Sequence, residues 1–282
     1  MGFDVLQLSR WLGRPVHLFL FTLQGVTYRY NSSDRNLEVG GKTYLAATIS
    51  RSEINETTER SKNELTIKFT YLLNPGAPEL PSTQPLGDLF RPYAPTGKVQ
   101  VICMALHAGD NDLEAKVEWM GRVISPKFSD TALMLTCEQV SSRKNFRGVL
   151  PRATRGCSKA LYGCGVAASD HAFPAVLSLV VGSALTSSAF AGYADGRLEG
   201  GYVEWTRSNG LVEQRTIYSH IGNTIVLNYG GAELAAGLTL TAHPGCAHTY
   251  GDCRDYFDNA PNYGGFKNLN AENPFDGHRI SW

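Results

Sequence analysis

At 282 residues the chain can bury one large core or two to three modest ones. Its 26 basic residues balance 26 acidic ones, which excludes a broadly basic surface for nucleic acid or an anionic membrane. Charged residues are only 18% of the chain, below the usual quarter, as on a surface covered by other subunits.

The start, Met1-Gly2-Phe3-Asp4, has no basic stretch followed by an apolar run and a cleavage site, so no signal peptide is expected. No apolar run long enough to span a membrane is present; Val16–Leu23 is too short and contains His17. Residues 1–150 read as a mostly β region. Phe3 to Leu12 forms a short helix ending at Gly13-Arg14-Pro15, and the strands Val16–Leu23, Val26–Tyr30, Leu37–Val39 and Lys42–Ala46 follow. Leu65, Ile67, Phe69 and Tyr71 alternate with polar residues, and Val117, Trp119, Gly121 and Val123 repeat that period of two. Val99–Ala105 and Ala132–Cys137 are apolar on both faces and belong at the centre of a sheet, which makes Cys103 and Cys137 core thiols.

Between these strands runs an excursion punctuated by Pro75, Pro78, Pro81, Pro85, Pro92 and Pro95, with room for one helical turn at Leu86–Phe90. So long a loop points to a functional arm or an interface element. Arg143, Lys144, Arg147, Arg152 and Arg155 then give five cations without an acid. They suit either a nucleic-acid patch or local balance for negative charge nearby.

Residues 169–242 read as a separate small β module. Its strands are Gly201–Thr206, Leu211–Tyr218, Thr224–Tyr229 and Leu238–Thr241, with a turn at Ser208-Asn209-Gly210. The last 29 residues (254–282) lack periodicity but carry Tyr256, Phe257, Tyr263, Phe266, Phe275 and Trp282, too many aromatics for disorder. An irregular tail packed on its own lobe or on a neighbour is expected.

Four of the six cysteines flank that module in two matched pairs. Cys157/Cys164 and Cys246/Cys253 each enclose six residues, and 81 residues (165–245) separate the pairs. Glycines at 156, 163, 165, 245 and 251 crowd the pairs. Two cysteine hairpins able to converge are the chain-level trace of a four-thiolate site. Paired zinc ligands are usually two to four residues apart, so the looser six-residue loops favour an iron–sulfur cluster, whose anchoring irons are spread. Two local disulfides, or thiols recurring by chance, are the other readings; a reducing cytosol disfavours the first. Arg155 lies two residues before Cys157 and Arg254 directly follows Cys253, where cations would favour the thiolate form.

Other chemistry is poorly supported. Cys246-Ala247-His248 puts a thiol near an imidazole, yet no orienting group or oxyanion site accompanies it, so the chain is expected not to be an enzyme. His248 could replace a ligand. Asp252, Asp255 and Asp258 lack a calcium loop's glycine pattern and read as solvated acids. An iron–sulfur electron carrier is the alternative functional class; it would need an exposed cluster and a redox partner.

Gly156-Cys157-Ser158-Lys159-Ala160-Leu161-Tyr162-Gly163-Cys164-Gly165 resembles the first cysteine motif of a phage tail hub family. His243-Pro244-Gly245-Cys246 through Cys253, with Phe257-Asp258-Asn259, Asn262-Tyr263-Gly264-Gly265-Phe266 and Asn273-Pro274-Phe275, resembles the second. The family includes hub proteins of gene transfer agents and, more distantly, the tail tip protein L of phage lambda. The resemblance runs along the whole chain, with its specific motifs mostly beyond residue 150, and it departs from the family at Tyr162, where aspartate is common.

The resemblance implies a mainly β structural hub protein of a siphophage tail tip or baseplate. Its parts would be a hub-type β-barrel region over 1–150, an irregular cluster-binding lobe over 151–168 and 243–282, and an inserted β module over 169–242. It also implies that Cys157, Cys164, Cys246 and Cys253 hold a 4Fe-4S cluster, with zinc as the alternative metal. The implied partners are two further copies in a homotrimer, a distal tail protein and other baseplate or central-fibre proteins. Membrane is not among them, and DNA is only the passing cargo of the tail channel. The implied location is the virion tail tip, after assembly in the bacterial host cytoplasm.

Overall fold

The computed structural model describes residues 2–9, 11–55, 64–74, 76–110, 114–140 and 154–269. The chain divides into two compact units, Met1–Arg147 and Gly148–Trp282. Both are mainly β.

The first unit opens with helix α1 (Phe3–Leu8). It stops short of the expected Leu12 because the Ser9 hydroxyl takes the backbone N–H of Leu12 at 3.0 Å, a local bond that competes with the helix. Strands β1 (Pro15–Leu23), β2 (Val26–Asn31), β3 (Leu37–Val39), β4 (Lys42–Ala46), β5 (Ile49–Arg51), β6 (Glu64–Thr70), β7 (Gln100–His107), β8 (Lys116–Phe128) and β9 (Ala132–Gln139) follow. They form one sheet in the order β3-β4-β2-β1-β7-β8-β9-β6-β5, curled into half a barrel. Pairing is antiparallel except between β2 and β4. β1 lies inside the sheet between β2 and β7, so Leu18 and Phe19, on opposite faces, are both fully buried.

Cys103 and Cys137 are fully buried in β7 and β9. Burial pushes the Cys103 thiol up to about 12 and raises Cys137 as well, so both are inert core groups. Within the proline-rich excursion, helix α2 spans Gln84–Asp88, two residues ahead of the expected turn. Gln84 sets that start: its side chain donates to the Leu72 carbonyl at 3.0 Å and accepts the Leu72 N–H at 3.1 Å. Tyr71 Oη donates to Asp88 at 2.9 Å and holds the other end. The excursion is thus docked on the chain just past β6. Pro75 lies outside the described residues, as do Arg143, Lys144, Arg147 and Arg152 of the basic segment.

The second unit holds β10 (Phe173–Val176), β11 (Leu179–Val181), β12 (Ala184–Thr186), β13 (Tyr202–Thr206), β14 (Val212–Ile221), β15 (Thr224–Leu227) and β16 (Thr239–His243). Their sheet order is β10-β16-β13-β14-β15-β12-β11. Leu185, Phe190, Leu198, Val203, Ile217, Ile225 and Leu240 close a core of its own. Arg215 is fully buried beside it, its guanidinium held by Glu213 at 2.9 Å and by the Gly230 carbonyl at 3.1 Å. Helix α3 (Tyr250–Asp255) follows the sheet. Among the described residues no helix is long and apolar enough to cross a membrane.

Candidate metal centre

All four paired cysteines border one small cavity of about 20 Å³, together with Lys159, His248, Phe257, Asn259 and Asn262. Cys253 is buried and the other three are half-buried, and all four carry free thiols. Irregular chain places Cys157, Cys164 and Cys246, and helix α3 places Cys253; the two cysteine segments tie to each other directly. Cys157 N–H donates to the His248 carbonyl at 2.8 Å, and His248 Nδ1 faces the Cys157 carbonyl at 3.1 Å. His248 reaches this position with a left-handed φ of 56°. Its imidazole therefore serves a carbonyl, and no thiol–imidazole pair forms there.

The tail residues close the site as a strap. Gly264 N–H points at Cys157 Sγ at 3.3 Å, Phe266 N–H donates to the Thr154 carbonyl at 2.9 Å, and the Tyr263 hydroxyl donates to the Arg155 carbonyl. A Cβ on Gly265 would lie 2.5 Å from the Arg155 carbonyl oxygen, so only glycine lets the two backbones touch. The Asn262-Tyr263-Gly264-Gly265-Phe266 motif thus acts by clamping the first cysteine loop. Asn273-Pro274-Phe275 lies outside the described residues.

Helix α3 presents Cys253 inward. Thr249 caps it, its hydroxyl accepting the Asp252 N–H at 3.2 Å. The Asp252 carboxylate accepts the Ala247 N–H at 2.9 Å and pairs with Arg197 from the loop before β13. Arg197 also donates to the Gly245 carbonyl at 2.8 Å and lies 3.5 Å over the Tyr256 ring. Tyr162, in a left-handed conformation with φ 60°, donates its hydroxyl to the Pro244 carbonyl at 2.8 Å. Its ring stands edge-on to Tyr202, His243 and Phe257. A shorter aspartate could neither donate in its ionised form nor fill that aromatic nest.

Hydrogen-bond donors reach three of the sulfurs. Beside Gly264 on Cys157, His248 N–H donates to Cys246 Sγ at 3.3 Å and Asn259 Nδ2 lies 3.6 Å from Cys164 Sγ. Cys253 Sγ donates to the Asn259 carbonyl at 3.2 Å. Burial pushes the Cys246 thiol up to about 11, partly offset by the His248 N–H. Burial, then the neighbouring Cys157 and Cys164, raise Cys253, and Lys159 opposes that shift.

Lys159 thus stands beside the thiols as a cation. The expected Arg254 turns away and pairs with Asp255 at 2.6 Å on the exposed side of α3. Adjacency in sequence misled here because a helical residue next to an inward one points elsewhere. Thiols must shed their protons to become metal ligands. In donor chemistry the site fits a thiolate-bound metal or cluster. Among the described residues, however, no three cysteine, histidine or acidic side chains are placed to hold a metal ion as they stand.

A family model described as phage conserved hypothetical protein BR0599 matches residues 196–273, which takes in the second cysteine pair and the strap. An uncharacterized protein of Xylella fastidiosa (strain 9a5c) is 49% identical over 166 residues, which is 59% of this chain and 34% of that protein. The match thus spans about a third of that relative's length. Among solved structures, a chain from the virion of a native gene transfer agent particle superposes with a TM-score of 0.75 at 16% identity. The superposition covers 99% of this chain and 96% of that one. The two share a fold.

Proposed function

We propose that the chain is a structural hub subunit of a phage-type tail tip or baseplate, with no catalytic role of its own. In this reading three copies form a ring at the distal end of the tail tube. Cys157, Cys164, Cys246 and Cys253 hold a 4Fe-4S cluster that ties the loops around the β module together. The observation that carries it is a fold shared end to end with a virion chain, 99% of one and 96% of the other. The phage family model over residues 196–273 supports the same assignment at the cysteine lobe. Exposed apolar residues at the N-terminus, Leu8 at 87% and Trp11 at 92%, suit a subunit that works inside an assembly. Distal tail and central-fibre proteins are the partners this reading names, and the virion its location.

When bound, a cluster crosslinks four points of the chain and adds its ligation energy to folding; structural zinc supplies about 10–16 kcal/mol in small peptides. Lys159, the N–H groups of Gly264 and His248, and the Asn259 amide surround the sulfurs and offset thiolate charge. A structural zinc in the same hub is the second reading. The cavity of about 20 Å³ favours it, since that space admits roughly one water-sized body and a multi-atom cluster must spread the thiols. The six-residue spacing favours the cluster.

Anaerobic purification followed by iron, acid-labile sulfide and zinc analysis decides the centre. About four irons and four sulfides per chain, with broad visible absorbance lost in the cysteine variants, is expected. One zinc keeps the hub and replaces the cluster. Absence of metal, with the cysteines oxidised in pairs, overturns the centre. Sedimentation of the intact protein and antibody labelling of particles test the hub: a trimer and label at the tail tip are expected, and label confined to the head or tube sinks the assignment.

A further inference from the structure

We infer that Asn259 is the positioning residue of the four-thiol centre: it joins the two cysteine pairs, and its amide tunes the sulfur of Cys164. The inference rests on the metal-centre reading above. Asn259 lies six residues beyond Cys253, outside the ligand spacing, and is 7% exposed. Its side-chain Nδ2 donates to the Cys164 carbonyl at 3.1 Å and lies 3.6 Å from Cys164 Sγ. Its backbone N–H donates to the Cys253 carbonyl at 2.9 Å, and its backbone carbonyl accepts Cys253 Sγ–H at 3.2 Å. One residue therefore touches a member of each pair, across 95 residues of sequence in the case of Cys164.

The side chain cannot swing away. Asn262 Nδ2 donates to Asn259 Oδ1 at 2.7 Å, which fixes the amide so that its N–H₂ faces Cys164. Asn262 is held in turn by Lys159, whose ammonium donates to the Asn262 carbonyl at 2.7 Å. A donor facing a ligating thiolate binds more tightly than one facing a neutral thiol, which is what the position of the Asn259 amide beside Cys164 would offer a bound metal. Cys157 and Cys246 receive backbone N–H groups of Gly264 and His248, which a substitution does not delete. Asn259 offers its donor from a side chain, so its contribution is separable by mutation.

The test uses the full chain and the metal it carries. Asn259→Asp keeps the shape but replaces the donor facing Cys164 with an acceptor and adds negative charge. We expect native circular dichroism, wild-type metal content after reconstitution, and about 10–100-fold weaker retention against a competing chelator. In the cluster-loaded protein the reduction potential drops below wild type; the added charge and the lost donor both lower it, and Asn262→Ala, which adds no charge, separates the two. Asn262→Ala leaves the donor in place and frees its anchor, so it shifts both readouts less and in the same direction.

Wild-type retention and potential in Asn259→Asp overturn the inference. So do wild-type values in Asn262→Ala should Asn259→Asp fail to fold. A wild-type protein without metal sinks the metal-centre reading and the inference with it. A wild type that carries zinc sinks the cluster alone, and zinc retention then decides for or against Asn259.

Discussion

At Gly245 two stretches of backbone pass too close for any side chain. A Cβ there would lie 1.6 Å from the Glu199 carbonyl oxygen and 2.8 Å from Gly201 N, and no rotamer change relieves a clash with main chain. Gly245→Ala must therefore push Cys246 away from the other thiols. We expect a loss on the order of 3 kcal/mol in urea unfolding, together with loss of bound metal. The thiol of Cys246 makes a second residue-scale prediction, for metal-free protein. Its folded pKa is raised to about 11 from 9.0, so between those values the native state holds more protons than the unfolded one. Its stabilising effect is thus complete below pH 9 and declines as pH rises through 11. Thermal melting of the metal-free form should fall across that window. In the metal-bound form the thiolates are already ionised, and the Cys246 contribution to that fall disappears.

The elements that build the centre are short. Helix α3 has six residues and owes its start to the Thr249 cap, so Thr249→Ala should cost about 1 kcal/mol in chemical denaturation. The tie from Arg197 to Asp252 and Gly245 is largely buried, with side chains 18% and 12% exposed. Removing one partner leaves the other desolvated without compensation. Arg197→Ala should thus destabilise the second unit by on the order of 3 kcal/mol, and Arg197→Lys should recover only part because it cannot serve both acceptors and stack on Tyr256.

The sequence carried some of these elements and hid others. Alternation exposed β6 and β13, whose inward residues Leu65 and Val203 are buried; in β8 Trp119 and Gly121 are buried but Val117 is 56% exposed, where the pairing with β7 shifts register. The matched cysteine spacing pointed to four thiols, and the structure brings them to one cavity. β10, β11 and β12 escaped notice because strands of three or four residues are too short to show a period. Asn259, Lys159 and Arg197 escaped for another reason. Their roles come from long-range contacts that leave no periodic or spacing signal, although Asn259 and the strap glycines stand inside a motif visible as such.

At the scale of the molecule, each unit has its own core, and only the second contains the four thiols. The β module packs Leu185, Phe190, Ile217, Leu240 and their neighbours without help from the cysteine loops. Those loops, by contrast, have few apolar residues buried: Val166, Cys253 and Phe257 are the ones described. What holds them is hydrogen bonding across the strap, the aromatic nest at Tyr162 and, in the reading proposed here, ligation. Loose chain held by bonds of that kind opens locally long before a packed sheet does.

Stripping the metal with a chelator should therefore act unevenly along the chain. Hydrogen exchange read by mass spectrometry is expected to lose protection over 154–166 and 244–266. The nine-stranded sheet and strands β13 to β15 should keep theirs. Loss spread over both units would mean that the centre supports the whole fold. Unchanged protection in the cysteine loops would mean that the strap alone suffices and that the metal, where present, contributes little to stability.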